Sequence, residues 1–316
     1  MISYYSNKIK KIICSQLKQT NLRLIKEPGL VYGPLDKTFS FKNIVVFAFW
    51  PSHFHLGDQL FYLQLAHYLH TMNIKIIIIG PTPLYHLFEP YDAEYIDISN
   101  SSTHHITGAI ILSKTDLLSD ILPHISTSNF YMGMNYRTLQ GKKRISDLIC
   151  DHTFSKTPIP KPPKIKFRNK FKNIPKTTKI DLKSTPTIFF NPYVASNRLQ
   201  AFFRRKQIHN IAKQKASEGY QIILIGSKAD KKASPQVPTY VMADLRDKIS
   251  ILELFNLFSL PQAKALISYD TFVAHVATLC NLPLITVTKS KKHNEFIAKR
   301  FVPFFETSHI NKCKLL

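Results

Sequence analysis

The sequence predicts an α/β protein built from two Rossmann-like domains. Three observations carry that expectation. Short apolar runs of strand length alternate with stretches of helical periodicity, as in βαβ units. The alternation occurs twice, over 43–154 and 187–300. Between the two sets, residues 155–186 are dominated by Pro and Lys and read as an extended linker or long surface loop. A chain of 316 residues suffices for two domains with sizeable cores.

The elements follow in order. Residues 2–26 read as a basic amphipathic helix, with Ile2, Tyr5, Ile9, Ile12, Ile13 and Leu17 on one side and Lys8, Lys10, Lys11 and Lys18 on the other. Such a helix either lies on an anionic membrane or packs on its own domain. It forms most of a basic arm, 1–42. Asn43–Phe49 is a buried strand, and a turn through His53, His55, Gly57 and Asp58 leads into a helix that runs to Thr71. Residues 74–80, IKIIIIG, are the next strand. Weaker signals place a helix near 82–89, strands near 94–98 and 108–112, and a helix near 114–123. Residues 131–139 read as loop or strand, and 148–154 fit either helix or strand.

The second set opens with a strand at 187–192. A helix over 204–217 ends at Gly219. YQIILIG at 220–226 is a strand followed by a Gly-Ser-Lys turn. A short strand lies within 239–245 and a helix spans 249–261. The strongest unit is 265–287. Ala265–Ser268 is a strand, Asp270 is placed to cap a helix, and Val273, Val276, Ala277 and Cys280 form its apolar stripe. Asn281 and Pro283 end it before a strand at 284–287. A helix over 293–305 closes the fold, and 301–316 form a polar, basic tail. A strand, a polar helix mouth and a second strand make an anion site; they also make an ordinary capped βαβ unit. A ligand is expected in the cleft between the two domains.

The formal net charge is +23, unevenly spread. Residues 1–42 carry eight Lys/Arg against two Asp/Glu, 155–186 carry ten against one, and 43–154 carry six against nine. The basic segments suit anionic lipid, an acidic glycolipid or solvent. No zinc finger or RNP-like aromatic box accompanies them, so nucleic acid is not an expected partner. No apolar run approaches the roughly 18 residues of a membrane span, and no signal peptide is read at the N-terminus. The four cysteines are far apart, which suits a reducing cytoplasm and gives no metal spacing.

The unit at 265–287 resembles the C-terminal signature of the bacterial heptosyltransferase family, glycosyltransferase family 9. That signature reads roughly D-[ST]-G-x-x-H-x-A followed by G-x-P. Here Asp270, Thr271, His275, Ala277 and Pro283 stand at matching spacing, and Phe272 replaces the glycine. Asn191–Arg198, IILIGSKAD at 222–230, Asp244-Leu245 with Ser250–Leu254, and Gly57-Asp58 extend the resemblance over most of 43–300.

The resemblance implies a GT-B fold: two Rossmann-like domains facing each other across a cleft, with nucleotide-sugar mainly on the C-terminal one and acceptor mainly on the N-terminal one. It implies Asp58 as the base for the acceptor hydroxyl, where the residues alone leave a helix cap equally open. His53 and His55 are alternative bases or acceptor contacts, or simply exposed loop histidines. The helix mouth at Thr271 and Phe272, with Arg198, would hold the donor diphosphate, and Arg204 and Arg205 are substitutes for Arg198. Asp270 would face sugar hydroxyls and Asp230 the ribose, unless Asp230 is merely a surface residue. His275 would support the phosphates or pack structurally. No D-x-D pair or metal-type cluster is present, so the expectation is no metal and no cofactor beyond the nucleotide-sugar substrate.

The implied activity is inverting transfer of a sugar, heptose in this family, to a lipopolysaccharide-type or other surface-glycan acceptor. The implied location is cytoplasmic, with peripheral contact at the inner membrane face. Two other readings remain open: a relative that glycosylates a protein or capsule precursor, and a non-catalytic GT-B-like protein that binds an anionic glycan or nucleotide.

Overall fold

The computed structural model describes residues 22–25, 31–34, 39–49, 56–80, 82–97, 105–113, 128–133, 145–162, 185–193, 198–269, 271–286 and 313–315. Residues 22–25, 31–34, 198–204 and 313–315 are described by backbone alone. The chain divides into two compact units, Met1–Phe167 and Arg168–Leu316. Residues 2–21 of the helix expected over 2–26 and the helices expected near 114–123 and over 293–305 lie outside the described residues, as does most of the expected linker.

The first unit is a seven-stranded sheet. Its strands are β1 (Leu22–Ile25), β2 (Val31–Pro34), β3 (Ile44–Ala48), β4 (Lys75–Ile79), β5 (Glu94–Ile96), β6 (Ala109–Ser113) and β7 (Phe130–Gly133), in the order β1-β2-β7-β6-β3-β4-β5. The five strands from β3 to β7 are parallel, and β1 and β2 add antiparallel beside β7. The central strands are runs of Val, Ile and Leu because both faces of a parallel sheet are covered. Residues 22–25 are therefore a strand and not the end of the expected helix. Leu22 and Leu24 alternate with Arg23 and Ile25, and β2 supplies backbone partners from Leu22–Pro34 to Ile25–Val31.

The expected helix 58–71 is two helices, α1 (Leu56–Leu60) and α2 (Leu63–Thr71). The break falls at Phe61 and Tyr62, both wholly buried. Their N–H groups turn back to Asp58 and Gln59 carbonyls, at 3.3 and 3.1 Å. Tyr62 packs against Phe47 and Phe49, and both phenylalanines meet Phe88. Residues 145–156, partly ambiguous in sequence, form α3 (Ile145–Lys156), tied to α2 by Gln64 Nε2 donating to Asp147 Oδ1 at 2.8 Å. The helix expected near 82–89 is two single 3₁₀ turns, Tyr85–Leu87 and Glu89–Tyr91. Pro90 sits in the second turn, where its ring cannot donate to a longer helix.

The second unit is a six-stranded, wholly parallel sheet in the order β10-β9-β8-β11-β12-β13. Its strands are β8 (Thr187–Asn191), β9 (Gln221–Leu224), β10 (Ala243–Asp244), β11 (Ala263–Ser268), β12 (Leu284–Thr286) and β13 (Cys313–Leu315). Its helices are α4 (Arg198–Ser217), α5 (Lys228–Ala233), α6 (Ile251–Phe258) and α7 (Phe272–Leu279). The expected polar turn after Gly226 is the short helix α5, started by a capping box in which Ser227 and Asp230 bond reciprocally. Ser250 and Glu253 start α6 in the same way. That helix buries Leu254, Phe255, Leu257 and Phe258, each contributing about 1.5–3 kcal/mol relative to exposure. Gly219 after α4 and Asn281 after α7 have positive φ, 89° and 59°, as helix ends require. α4 begins at Arg198, earlier than its periodicity suggests.

Candidate functional site

In the second unit, β9 and β10 lie to one side of β8, while β11, β12 and β13 lie to the other. The chain order therefore reverses between β8 and β11. Open α/β sheets bind ligands outside the carboxyl ends of the strands at such a reversal. Asn191 ends β8 and Ser268 ends β11, and the two are register partners. Both are buried polar residues, at 3% and 0% exposure, at the carboxyl ends of their strands.

The helix that follows Ser268 is α7. Its N-cap is Thr271, in extended conformation, and not Asp270 as the sequence suggested; Asp270 lies outside the described residues. Thr271 makes no side-chain capping bond. Its hydroxyl sits 3.1 Å from Ser268 Oγ instead. The Thr271 carbonyl accepts from Ala274 and His275 N–H at 3.1 and 3.3 Å. The helix thus opens beside the strand reversal with its side-chain cap turned away, leaving backbone donors of the first turn for an anion. Phe272, in place of the smaller residue of the resembled signature, is half-buried there. His275, one turn on, is 3% exposed within the unit.

On the other side of Asn191, Gly226 follows β9. A Cβ on Gly226 would stand 2.9 Å from Asp230 Oδ2 and 3.4 Å from Asn191 Nδ2. Only a glycine lets these side chains approach. Asn191 Nδ2 donates to the Ile225 carbonyl at 3.1 Å. Asp230 Oδ2 accepts from Ser227 N–H and Oγ at 2.7 and 2.9 Å. Asp230 is therefore a fixed member of the edge, with one carboxylate oxygen committed to the start of α5. Asp230, Gly226, Asn191, Ser268 and Thr271 form a row along the ends of β9, β8 and β11.

Sequence reasoning missed Arg246, which closes this edge beyond β10. It is wholly buried and bonds to three segments. Nε and Nη2 meet Asp244 Oδ1 and Oδ2 at 2.9 and 2.8 Å. Nη1 donates to Tyr193 Oη at 2.7 Å and to the Ser234 carbonyl. The guanidinium also lies over the Tyr193 ring, 5.5 Å from its centre. The bond from Arg246 holds the Asp244 carboxyl below its ordinary value, and the same bond raises Arg246 further. Burial pushes the Tyr193 phenol up. Nearby, Arg205 Nη2 donates to Ser234 Oγ at 3.1 Å, so that candidate cation is engaged within its own unit. Asp-Leu-Arg at the end of a two-residue strand reads as surface, and nothing in the sequence marked this arginine as interior.

In the first unit the order reverses between β3 and β6. The connection from β3 leads to α1, whose second and third residues are Gly57 and Asp58. Asp58 is 8% exposed. It is inside the first turn and is not the N-cap that its residue type also suggested. His53 and His55 lie outside the described residues. For Arg198 only the backbone, opening α4, is described. Among the described residues no group of three His, Cys, Asp or Glu could hold a metal ion. No described helix is long and apolar enough to cross a membrane.

Comparison with known proteins agrees with this layout. The family model described as glycosyltransferase family 9 (heptosyltransferase) matches residues 155–299, which contain every element of the second site. No curated protein matches the sequence. Among solved structures, E. coli ADP-heptose lps heptosyltransferase II is 19% identical, with a TM-score of 0.54 over 86% of this chain and 89% of that one. A glycosyl transferase family 9 protein from Veillonella parvula DSM 2008 is 13% identical, with a TM-score of 0.55 over 88% and 86%. E. coli heptosyltransferase WaaC, solved with ADP, is 12% identical, with a TM-score of 0.53 over 86% and 92%. At these identities the structures show a shared fold, the α/β GT-B fold. In the sequence of its C-terminal part and in its fold, the chain resembles the bacterial heptosyltransferases of glycosyltransferase family 9.

Proposed function

We propose that the chain is an inverting glycosyltransferase that moves a sugar, heptose in the first instance, from a nucleotide-sugar to a surface-glycan acceptor of lipopolysaccharide type. The observation that carries this reading is the row at the strand reversal of the second unit, ending in the α7 mouth with its N-cap side chain turned to Ser268. A helix opening of that kind suits a diphosphate.

In this reading Asp58 accepts the proton of the acceptor hydroxyl. The acceptor oxygen forms its bond to the anomeric carbon as the bond from that carbon to the diphosphate oxygen breaks. The nucleoside diphosphate leaves with the electron pair, and the configuration inverts. The first-turn N–H groups of α7, the Thr271 hydroxyl and the Arg198 guanidinium stabilise the departing charge in place of a metal cation. Asp270 holds sugar hydroxyls, and the second oxygen of Asp230 faces the ribose. His53 and His55 contact the acceptor, and His275 supports the helix mouth from within. The basic segments 1–42 and 155–186 bring the protein to an anionic membrane surface, where a glycolipid acceptor resides.

The test is a thermal-shift panel of ADP, UDP, GDP and their sugars, followed by transfer from the donor that binds. A ligand at about 100 times its dissociation constant adds roughly 2.7 kcal/mol. Stabilisation by a nucleoside diphosphate and not by its nucleoside supports the reading. Stabilisation without any sugar transfer favours the non-catalytic binding protein, and no stabilisation by any member removes the donor site. Association with anionic vesicles that does not weaken with salt removes the membrane part.

A further inference from the structure

We infer that Thr82 and Gln59 form a brace that fixes the first turn of α1, and so positions Asp58 for proton transfer; the functional half of this inference rests on the reading of Asp58 as the base.

Two separate observations place the brace. The first is a directed pair of hydrogen bonds. Thr82 Oγ1 donates to Gln59 Oε1 at 2.5 Å and accepts from Leu84 N–H at 3.1 Å. Both side chains are buried, at 4% and 2% exposure. The hydroxyl is thereby committed in both directions, and its orientation is fixed by backbone on one side and by Gln59 on the other. Gln59 is the residue directly after Asp58.

The second observation is a backbone contact at the other end of the same connection. Phe49, directly after β3, donates its N–H to the Ile79 carbonyl at 2.8 Å. Gly80, with φ of 118°, lies so close that a Cβ would stand 2.0 Å from the Phe49 carbonyl oxygen. The segment at the end of β4 and just after it therefore meets the β3–α1 connection where it leaves the sheet, at Phe49, and meets α1 itself at its fourth residue, Gln59.

The helix needs such a grip. α1 has five residues, and a helix of that length has no persistence of its own. A two-residue break at Phe61 and Tyr62, whose N–H groups bond back to Asp58 and Gln59, separates it from α2. A bond that served folding alone could sit anywhere in the core. This one joins the neighbour of Asp58 to the carboxyl end of β4, beside the reversal where such sheets bind ligands. Buried side chains held by such bonds fix geometry at a site to fractions of an ångström.

The experiment uses the full chain with Thr82→Val, which keeps the shape and loses the hydroxyl, and Thr82→Ser, which restores it. Gln59→Met and Gln59→Glu make the same comparison from the other side. Three readouts follow: amide exchange at residues 58–62, the titration of Asp58 by carboxyl NMR, and transfer from ADP-heptose to truncated lipopolysaccharide. The brace predicts exchange at 58–62 about tenfold faster in Thr82→Val and Gln59→Met, with β3 and β4 unchanged. It predicts a moved Asp58 titration in those two variants and a wild-type one in Thr82→Ser. Turnover falls by about 10–100-fold while ADP affinity, set in the second unit, is unchanged. Wild-type exchange and wild-type Asp58 titration in both Thr82→Val and Gln59→Met overturn the brace. Equal effects in Thr82→Ser overturn it as well. If turnover survives Asp58→Asn, the base reading fails alone, because exchange and titration still decide the brace.

Discussion

Arg246 and Asp244 meet in a two-pronged ion pair at 2.9 and 2.8 Å, with the arginine wholly enclosed and the aspartate only 17% exposed. The remaining guanidinium donors reach Tyr193 and the Ser234 carbonyl. Three segments at the ends of β8, β10 and α5 therefore share one side chain.

Arg246→Ala is expected to cost about 3–5 kcal/mol in the unfolding of the second unit, because it strands a buried carboxylate. Arg246→Lys recovers little of that, since an ammonium cannot make the paired bonds. Urea denaturation of both variants checks this. A loss below 1 kcal/mol in Arg246→Ala would show that water replaces the guanidinium.

The same pair predicts an acid dependence. The Asp244 carboxyl titrates lower in the fold than its ordinary value of 3.8. The stability it contributes is complete above that ordinary value and declines as pH falls through the lowered one. Asp244→Asn should flatten the stability profile below pH 4 and lower stability above it. An unchanged acid limb in Asp244→Asn would place the linkage elsewhere.

His209 predicts a dependence at milder pH. Its Nδ1 lies 2.6 Å from Tyr240 Oη and its ring packs edge-on to Phe190. Burial, then the charge of Arg205, lowers its pKa from 6.5. The unfolded chain therefore binds the proton first, and stability falls as pH drops below 6.5 through the lowered value. Melting temperatures from pH 7.5 to 5 should fall for the wild type and stay flatter for His209→Gln. Parallel curves would rule His209 out as the titrating group.

Loss of Asp58 is a test of chemistry rather than of binding. Asp58→Asn should lower kcat by roughly 100-fold or more with donor affinity nearly intact. If turnover persists, His53 or His55 becomes the candidate base.

The donor mouth makes a charge-specific prediction. Arg198→Ala should weaken nucleoside-diphosphate binding by about 1.5–3 kcal/mol and leave nucleoside binding unchanged. Phe272→Gly should preserve or improve diphosphate binding, at up to about 1 kcal/mol of helix stability. Calorimetry reads both. No change in either variant would leave the scaffold without the proposed donor site.

The central strands were legible because strands covered on both faces are contiguous apolar runs. Phe47, Ile78, Ile111, Phe189 and Leu266 all lie in such runs and all are buried. Of the four edge strands, β5 and β10 were expected, while β1 and β13 were not, since they exist through a neighbouring strand and their own residues fit other conformations. The signature helix was placed correctly, but its cap was assigned one residue early. Asp270 is the better capping residue by type, and the chain path chose Thr271. Asp58 was expected at a helix start, and the helix begins two residues earlier, at Leu56, which puts Asp58 inside the first turn. Arg246 had no local sign of burial: Asp244 is its neighbour in sequence, but Tyr193 and Ser234 are joined to it only by the fold.

The strand β2 bears on how the chain is made. Its sheet partners are Met132 and Tyr131, opposite Val31 and Tyr32, although its own hairpin partner β1 is its neighbour in sequence. A lone two-stranded hairpin is marginal in water. During synthesis β1 and β2 must therefore wait, unseated, until β7 has emerged, while β3, β4 and β6 can already associate. These two strands, although they precede the other five in the chain, are among the last to find their place in the first sheet, and until then the open side of β7 has no cover.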